Sequence, residues 1–268
     1  MIFCADIKGE NVMAEKRHCE KVLSLALDIA RNMVKCGAEV NRAEQAVMRI
    51  CYAYGMEKAQ VFSVVSMIIA TVVDEESGAH SQMRRSYSYG VDFGKLEKLN
   101  ALSRRICDEK PDIDVVRLEL ESICVEDKNF RFKYCTGYVL AAASFAVFFG
   151  GTLLDALAAV PIAALIYFMQ TYIRVKGASR LFFTALESAV AGLIALVFVH
   201  IGFGNNSDMI MIGDIMVLIP GLQLINAVRE MLHGDLMSGL LRLLESVILA
   251  VAIAGGFALP IFLWGYIA

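Results

Sequence analysis

Apolar residues recur with a helical period in the first part of the chain. From about residue 15 to residue 36 they return every three or four positions, which predicts a helix with one buried face. Gly37 marks the predicted end of this helix. Asn41 predicts the cap of a second helix, with Glu44 three residues later as its capping-box partner, and this helix extends to about residue 54.

The next stretch changes from a helical pattern to a strand pattern. Residues 59–73 are rich in Val, Ile, Ser and Thr and predict one buried strand, and a polar turn at 74–80 separates it from a second strand at 82–89. Two more helices are predicted, at about 93–109 and 112–124. The sequence therefore predicts a small α+β domain over residues 1–133.

The remaining residues, 134–268, are mostly apolar and predict an all-α membrane domain of five transmembrane helices. About 20 apolar residues are needed to cross a bilayer as a helix, and helices satisfy their own backbone hydrogen bonds in lipid. The predicted spans are about 134–150, 152–173, 181–201, 209–228 and 243–267.

The distribution of charge supports this division. Residues 1–133 hold 41 of the 53 Lys, Arg, Asp and Glu residues, and residues 134–268 hold 12. Because the net charge is only −3 and the first part is balanced in sign, we expect no nucleic-acid partner. The polar start of the chain predicts no cleavable signal peptide, so the later segments must direct insertion.

Basic residues predict the orientation in the membrane. They fall at one end of the predicted spans, and the opposite connections contain no Lys or Arg. By the positive-inside rule, the chain is expected to be a multi-pass protein of the plasma (inner) membrane, with the N-terminus in the cytosol and the C-terminus outside. The basic residues concerned are Arg131, Lys133, Arg174, Lys176, Arg180, Arg229 and Arg242.

Ionisable residues inside the spans are the first candidates for functional chemistry. Charge is costly in a bilayer and usually faces a cavity or a partner. Glu187 in the third span and Asp214 in the fourth are candidate proton or cation sites, with a role as structural partners as the alternative. Arg242 and Glu245, three residues apart in the fifth span, are expected to pair near the membrane surface.

The fourth span contains the strongest signal. Pro220 removes a backbone N–H from the helix and Gly221 adds flexibility, so the helix is expected to break at membrane depth. Transporters use such breaks to bind substrates and ions, although a simple proline kink is the alternative. Gln223 and Asn226 then present two amides on one face as candidate substrate contacts. Arg229 at the cytosolic mouth is a candidate to attract an anionic substrate, with topological anchoring as the alternative.

Enzymatic chemistry is not indicated. The chain lacks a phosphate loop, an HExxH motif and a GxSxG motif, so we predict no catalytic residue, no metal and no cofactor.

Four stretches of the chain resemble the threonine/serine exporter (ThrE) family, and most closely its YjjP-like members. They are CGAEVNRAEQAVMRICYAYG (36–55), VDFGKLEKLNALSRRI (91–106), YVLAAASFAVFFGGTLLDAL (138–157) and IMVLIPGLQLINAVREMLHGDLMSGLLRLLES (215–246). The resemblance implies a secondary transporter that exports threonine and serine or, in YjjP-like members, a dicarboxylate such as succinate.

Fused members of the family carry a second, shorter set of membrane helices after a unit like this one. The resemblance therefore implies the split form, in which a separate small membrane subunit is the partner, and a homo-oligomer is also possible. The sequence hypothesis is a transporter subunit that exports a small polar metabolite. The alternative is a membrane-tethered regulatory or sensory protein whose cytosolic domain is the working part.

Overall fold

The computed structural model describes residues 2–74, 78–86, 90–125, 128–173 and 179–267, which fall into two compact units. The first unit contains residues 1–126 and 225–242, and the second contains residues 127–224 and 243–268. These units differ from the predicted contiguous domains 1–133 and 134–268, because residues 225–242 pack with the N-terminal unit.

The N-terminal unit contains the four predicted helices. They are α1 (Ile2–Lys35), α2 (Val40–Ala53), α3 (Phe93–Glu109) and α4 (Ile113–Cys124). The turn after α1 has Gly37 at φ +96°, a backbone conformation that glycine adopts without a steric penalty.

The sheet has three strands where the sequence predicted two. The predicted strand at 59–73 is in fact a hairpin of β1 (Lys58–Val64) and β2 (Met67–Asp74), and β3 (Gly78–Arg85) pairs antiparallel with β2. The prediction of one strand was wrong because an apolar run with no Gly, Pro or Asn gave no sign of the tight turn. Residues 87–89 of the predicted second strand lie outside the described residues.

The predicted capping box of α2 was also wrong. The N-cap residue is Glu39, whose side chain makes no capping hydrogen bond. Glu44 instead accepts hydrogen bonds from the backbone N–H and the hydroxyl of Ser63, both at 2.7 Å. The Glu44 side chain, which the capping-box rule assigns to the start of α2, therefore makes a tertiary contact with β1 instead.

Helices α1 and α2 pack against the sheet, α3 and α4 pack against the helices, and all of them share one apolar core with the strands. Alternate strand residues such as Ile68, Ala70 and Val72 point into this core, as the two-residue period of a strand requires. The α+β character predicted for the N-terminal part is thus confirmed.

The second unit is helical. Its helices are α5 (Lys128–Phe148), α6 (Leu153–Phe168), α7 (Arg180–His200) and α8 (Ser207–Leu218), and α6 continues into a π-helical turn at Met169–Ile173. Two further helices, α9 (Gly221–Leu232) and α10 (Leu236–Ile267), have residues in both units.

The predicted number of spans was wrong. Among the residues that the structure describes, three helical stretches are long and apolar enough to cross a membrane (Leu153–Ile173, Arg180–His200 and Leu236–Tyr266), or four if the bent pair α8 and α9 counts as one span. The first predicted span, 134–150, lies on α5. Because α5 begins with Lys128, Arg131 and Lys133, its apolar stretch is short of the roughly 20 residues that a bilayer requires.

Small residues let the helices of the second unit approach closely. A Cβ at Gly213 of α8 would lie 2.5 Å from the carbonyl oxygen of Ala142 on α5. A Cβ at Gly256 of α10 would lie 2.5 Å from the carbonyl oxygen of Ala185 on α7. Such close backbone packing is typical of helices in lipid, where there is no hydrophobic drive between helices.

Candidate functional site

The fourth predicted span is broken at Pro220, as the sequence predicts. Helix α8 ends at Leu218, Ile219 adopts an extended conformation (φ −58°, ψ 129°), and α9 restarts at Gly221 with a bend of 48°. A residue that precedes proline is disfavoured in the helical conformation, and proline lacks the N–H that would continue the ladder. The break therefore follows from the Ile219–Pro220 pair itself.

Asp214 lies one turn before the end of α8 and is fully buried. Neither of its carboxylate oxygens accepts a hydrogen bond from the described part of the chain. A buried carboxylate without a donor or a positive partner is costly, so such a residue usually exchanges a proton or takes up a cation. The geometry makes Asp214 the strongest candidate for an ion site.

Glu187 on α7 has a different environment. Its side chain is 1% exposed and accepts a hydrogen bond from Nε2 of Gln170 at 3.1 Å. The Oε1 atom of Gln170 in turn accepts from the hydroxyl of Tyr138 at 2.8 Å. Gln170 lies in the π-helical turn that follows α6, and such turns occur frequently at functional sites.

Gln223 belongs to the same unit as Glu187 and contacts Arg180. With its amide oxygen turned towards the guanidinium group, Gln223 accepts from both terminal nitrogens of Arg180, at 3.2 and 3.3 Å. Arg180 also pairs with Glu245 at 3.1 Å. The expected pair of Arg242 and Glu245 was therefore wrong, since each has a partner on another helix.

Asn226 and Arg229 belong to the N-terminal unit. Asn226 donates from Nδ2 to the carbonyl oxygen of Gly37 at 3.2 Å, and Arg229 pairs with Glu39 at 2.7 Å. The two amides predicted on one face, Gln223 and Asn226, are therefore assigned to different units.

Asp155 at the start of α6 is a buried carboxylate whose two oxygens both accept hydrogen bonds. It is 0% exposed and accepts hydrogen bonds from the N–H groups of Asn205 and Asn206, at 2.6 and 2.9 Å. It also accepts from the N–H and the hydroxyl of Thr152, both at 2.8 Å. These contacts tie the turn before α6 to the turn before α8, so Asp155 has a structural role.

Sequence reasoning missed several polar residues in these networks. Gln170 could have been noticed, because it is an amide in an otherwise apolar segment, but nothing in the sequence predicts the π-helical turn that orients it. Tyr138 looked like an ordinary apolar residue. Glu230 lies in the connection between the fourth and fifth predicted spans, where no polar contact was predicted for it. No cluster of three His, Cys, Asp or Glu able to hold a metal ion occurs within the described ranges.

Comparison with known proteins shows the family to which this chain belongs. Residues 24–264 match the model of the ThrE family, described as "Putative threonine/serine exporter". The chain is 21% identical over 246 residues to the "Probable threonine/serine exporter" of Mycobacterium tuberculosis, an alignment that covers 91% of this chain and 46% of that protein. The chain thus spans about half the length of this relative, and no solved structure matches it. Because the family model covers most of the chain, the protein belongs to the ThrE family.

Proposed function

We propose that this chain is one subunit of a secondary transporter that exports a small polar amino acid of the threonine or serine type. Family membership and the name of the relative support this class of substrate. The comparisons give no support for a dicarboxylate such as succinate as the substrate. The proposal includes a second, small membrane subunit that supplies further membrane helices.

The observation that carries the proposal is the buried carboxyl of Asp214 beside a broken helix. In this proposal Asp214 is the site of the coupling ion, and the break at Pro220 and Gly221 lets α8 and α9 change their mutual angle. Since a break frees polar backbone groups at membrane depth, it also offers sites for a polar substrate.

Glu187 and Gln223 are the proposed substrate contacts in the second unit. An amino acid carries an ammonium and a carboxylate group, so a binding site needs acceptors and donors together. Glu187, with its hydrogen bond from Gln170, offers an acceptor for an ammonium group. Gln223 beside Arg180 offers an amide and a positive charge for a carboxylate. Asn226, which belongs to the N-terminal unit, is kept as a separate candidate for a substrate contact.

The proposed topology places the N-terminus in the cytosol and the C-terminus outside. Contacts within the second unit support it, because the turns without basic residues meet at one end through Asp155, Asn205 and Asn206. At the other end Arg180 contacts Glu245. Basic residues are expected on the cytosolic side.

The test is efflux of labelled threonine and serine from vesicles that contain the chain together with the small membrane subunit. We expect an efflux that depends on an ion gradient. We expect Asp214→Asn and Pro220→Ala each to reduce it by at least about tenfold, the effect of about 1.4 kcal/mol on a barrier. Asp208→Asn is the matched control, since this exposed carboxylate lies on the same helix, and it should leave efflux unchanged.

Two outcomes would contradict the proposal. If Asp214→Asn and Pro220→Ala transport like the unaltered protein, the site assignment is wrong. If vesicles with both subunits never release amino acid, the exporter function is wrong. In that case the regulatory or sensory alternative gains support, provided that removal of residues 1–125 abolishes a cellular response.

A further inference from the structure

Residues 225–242 form a helical hairpin within the N-terminal unit, made of most of α9 and the first turns of α10. Gly234, with φ +94°, makes the turn between the helices. Gly239 of α10 packs on α9 so closely that a Cβ there would lie 2.7 Å from the carbonyl oxygen of Ala227. The hairpin is therefore a tightly packed element.

The hairpin contacts the start of α2 through side chains about 190 positions away in sequence. Besides the contacts of Asn226 and Arg229 described above, Oε1 of Glu230 accepts a hydrogen bond from the backbone N–H of Val40 at 3.2 Å. The first N–H groups of a helix lack partners within the helix, and the N-terminus favours a negative charge. Because Glu39 does not cap α2, Glu230 supplies the missing acceptor from α9.

A buried ion pair anchors the same hairpin from within. Arg242 pairs with Glu230 at 2.9 Å, with only 5% and 1% of their side chains exposed. Removal of one member of such a pair leaves a buried charge without its partner, so the two residues stabilise the hairpin only together. The hydroxyl of Ser238 adds a long hydrogen bond of 3.4 Å to the carbonyl oxygen of Ser63 on β1.

We propose that the contacts between the start of α2 and the hairpin form a clamp that positions the C-terminal half of the broken span. The clamp consists of Glu39, Arg229, Glu230 and Arg242. It acts through α9, which is one continuous helix from Gly221 to Leu232, so that fixing residues 226–230 fixes the direction in which the chain leaves the break. This inference rests on the proposed function, and it makes these four side chains positioning residues for transport.

The clamp assigns Arg229 a role other than attraction of an anionic substrate. Arg229 is half exposed, but its guanidinium group is paired with a carboxylate whose side chain is only 15% exposed. A charge that is matched within the N-terminal unit contributes little field to a substrate at a distance. We therefore expect changes at Arg229 to alter the rate of transport and to leave the apparent affinity for substrate unchanged.

The experiment reverses the charges of the Glu39–Arg229 pair in the full chain, assembled with the second subunit in vesicles. Glu39→Arg and Arg229→Glu are made singly and together, and the threonine concentration is varied. We expect each single change to lower the maximal rate about fivefold, with the half-saturating concentration unchanged. This change in rate corresponds to the upper end of the free energy that a surface ion pair contributes. The double variant, which restores opposite charges, should recover most of the rate.

A second readout separates positioning from general loss of structure. Hydrogen exchange over residues 221–232 should be faster in the single variants and return to normal in the double variant. Arg84→Gln is the matched control, because it breaks a 3.0 Å pair with Asp28 elsewhere in the N-terminal unit. This variant should change neither exchange in α9 nor transport. Arg229→Gln is a milder version that removes the pair without introducing a like charge.

The outcomes distinguish the clamp from the proposed function. If the unaltered protein transports threonine and the single variants match it, the clamp is wrong although the exporter stands. If Arg229→Glu changes the half-saturating concentration more than the maximal rate, Arg229 contacts substrate and the clamp is also wrong. If the unaltered protein itself transports no threonine, the proposed function is wrong, whatever the variants do.

Discussion

The polar side chains in the two halves of the broken span differ in whether they have hydrogen-bond partners. In α8, Asp214 is buried and accepts no hydrogen bond from the described residues. In α9, Asn226, Arg229 and Glu230 each have a named partner in the N-terminal unit. The break at Pro220 separates these two environments.

This difference indicates a division of roles within one span. A carboxyl without a donor gains nothing in stability from its burial, so its presence in α8 calls for an explanation in function. Asn226, Arg229 and Glu230 each contact a partner in the N-terminal unit, so these three residues fix the position of α9 within that unit. A hydrophobic pattern read over the whole span does not distinguish the roles of its two halves.

The largest expected effect comes from breaking the ion pair on the α9 side. Glu230→Gln alone, or Arg242→Met alone, should destabilise the protein by about 3–5 kcal/mol, because each leaves a buried charge without its partner. The double variant should recover most of this loss, since Gln keeps an acceptor for the N–H of Val40 and an apolar residue replaces the buried charge. Thermal unfolding in detergent measures the differences.

The control for this prediction is an ion pair of similar geometry that is more exposed. The side chains of Arg180 and Glu245 are 35% and 34% exposed, so Glu245→Gln should cost no more than about 1 kcal/mol. Equal losses for Glu245→Gln and Glu230→Gln would show that burial does not distinguish the two pairs.

The next effect compares two fully buried aspartates in the second unit. Asp155→Asn should destabilise by about 1–3 kcal/mol, because the amide nitrogen cannot accept from the N–H groups that the carboxylate now satisfies. Asp214→Asn should leave stability unchanged or raise it, because no donor in the described part of the chain loses an acceptor. The melting temperatures of the two variants test this directly, and a large loss for Asp214→Asn would mean that Asp214 has a structural partner.

A smaller effect is expected from adding one methyl group on either side of the break. Gly213→Ala should cost about 1 kcal/mol or more, because its Cβ would lie 2.5 Å from a backbone oxygen of α5 that cannot move freely. Gly221→Ala should be tolerated, since no atom lies within 4 Å of its Cβ and its φ is not positive. If Gly221→Ala keeps stability but lowers efflux, the flexibility predicted for this glycine matters for transport.

Local rules predicted most helices of this protein but not its long-range assembly. The periodic pattern predicted α1 to α4, and Pro220 predicted the break, because both depend on residues within one or two turns. The hairpin's attachment to α2 was missed because it joins residues about 190 positions apart. The first predicted span was wrong because the apolar stretch at 134–150 is itself shorter than the roughly 20 residues that a bilayer requires.

The candidate site was predictable only as a set of residue types. Asp214, Glu187 and Pro220 stand out because acids and proline are rare in apolar segments. The sequence could not distinguish Glu187, a buried acid with an amide partner, from Asp214, a buried acid that accepts no hydrogen bond from the described residues. That distinction depends on the π-helical turn and on the packing of α5 against α8, which no local pattern encodes.

The smallest expected effect concerns the pH dependence of the N-terminal unit near the hairpin. Burial raises the pKa of Glu44 above its ordinary value, although hydrogen bonds from Ser63 lower it, and the negative charge of Asp235 in the hairpin raises it further. A raised pKa means that the folded protein binds the proton more tightly than the unfolded chain. The stabilising contribution is therefore complete below the unfolded pKa near 4.5 and is lost as the pH rises through the folded pKa.

Glu44→Gln tests this sign. Gln keeps an oxygen that can accept from Ser63 and cannot ionise, so the variant should match the unaltered protein below the unfolded pKa and be more stable at neutral pH. The melting temperatures of both proteins, measured from acid to neutral pH, should therefore diverge as the pH rises. If the curves diverge towards acid instead, the hydrogen bonds from Ser63 outweigh burial. In that case the contact between Glu44 and β1 is an anchor of the ionised side chain, like the contacts of Glu230 in the hairpin.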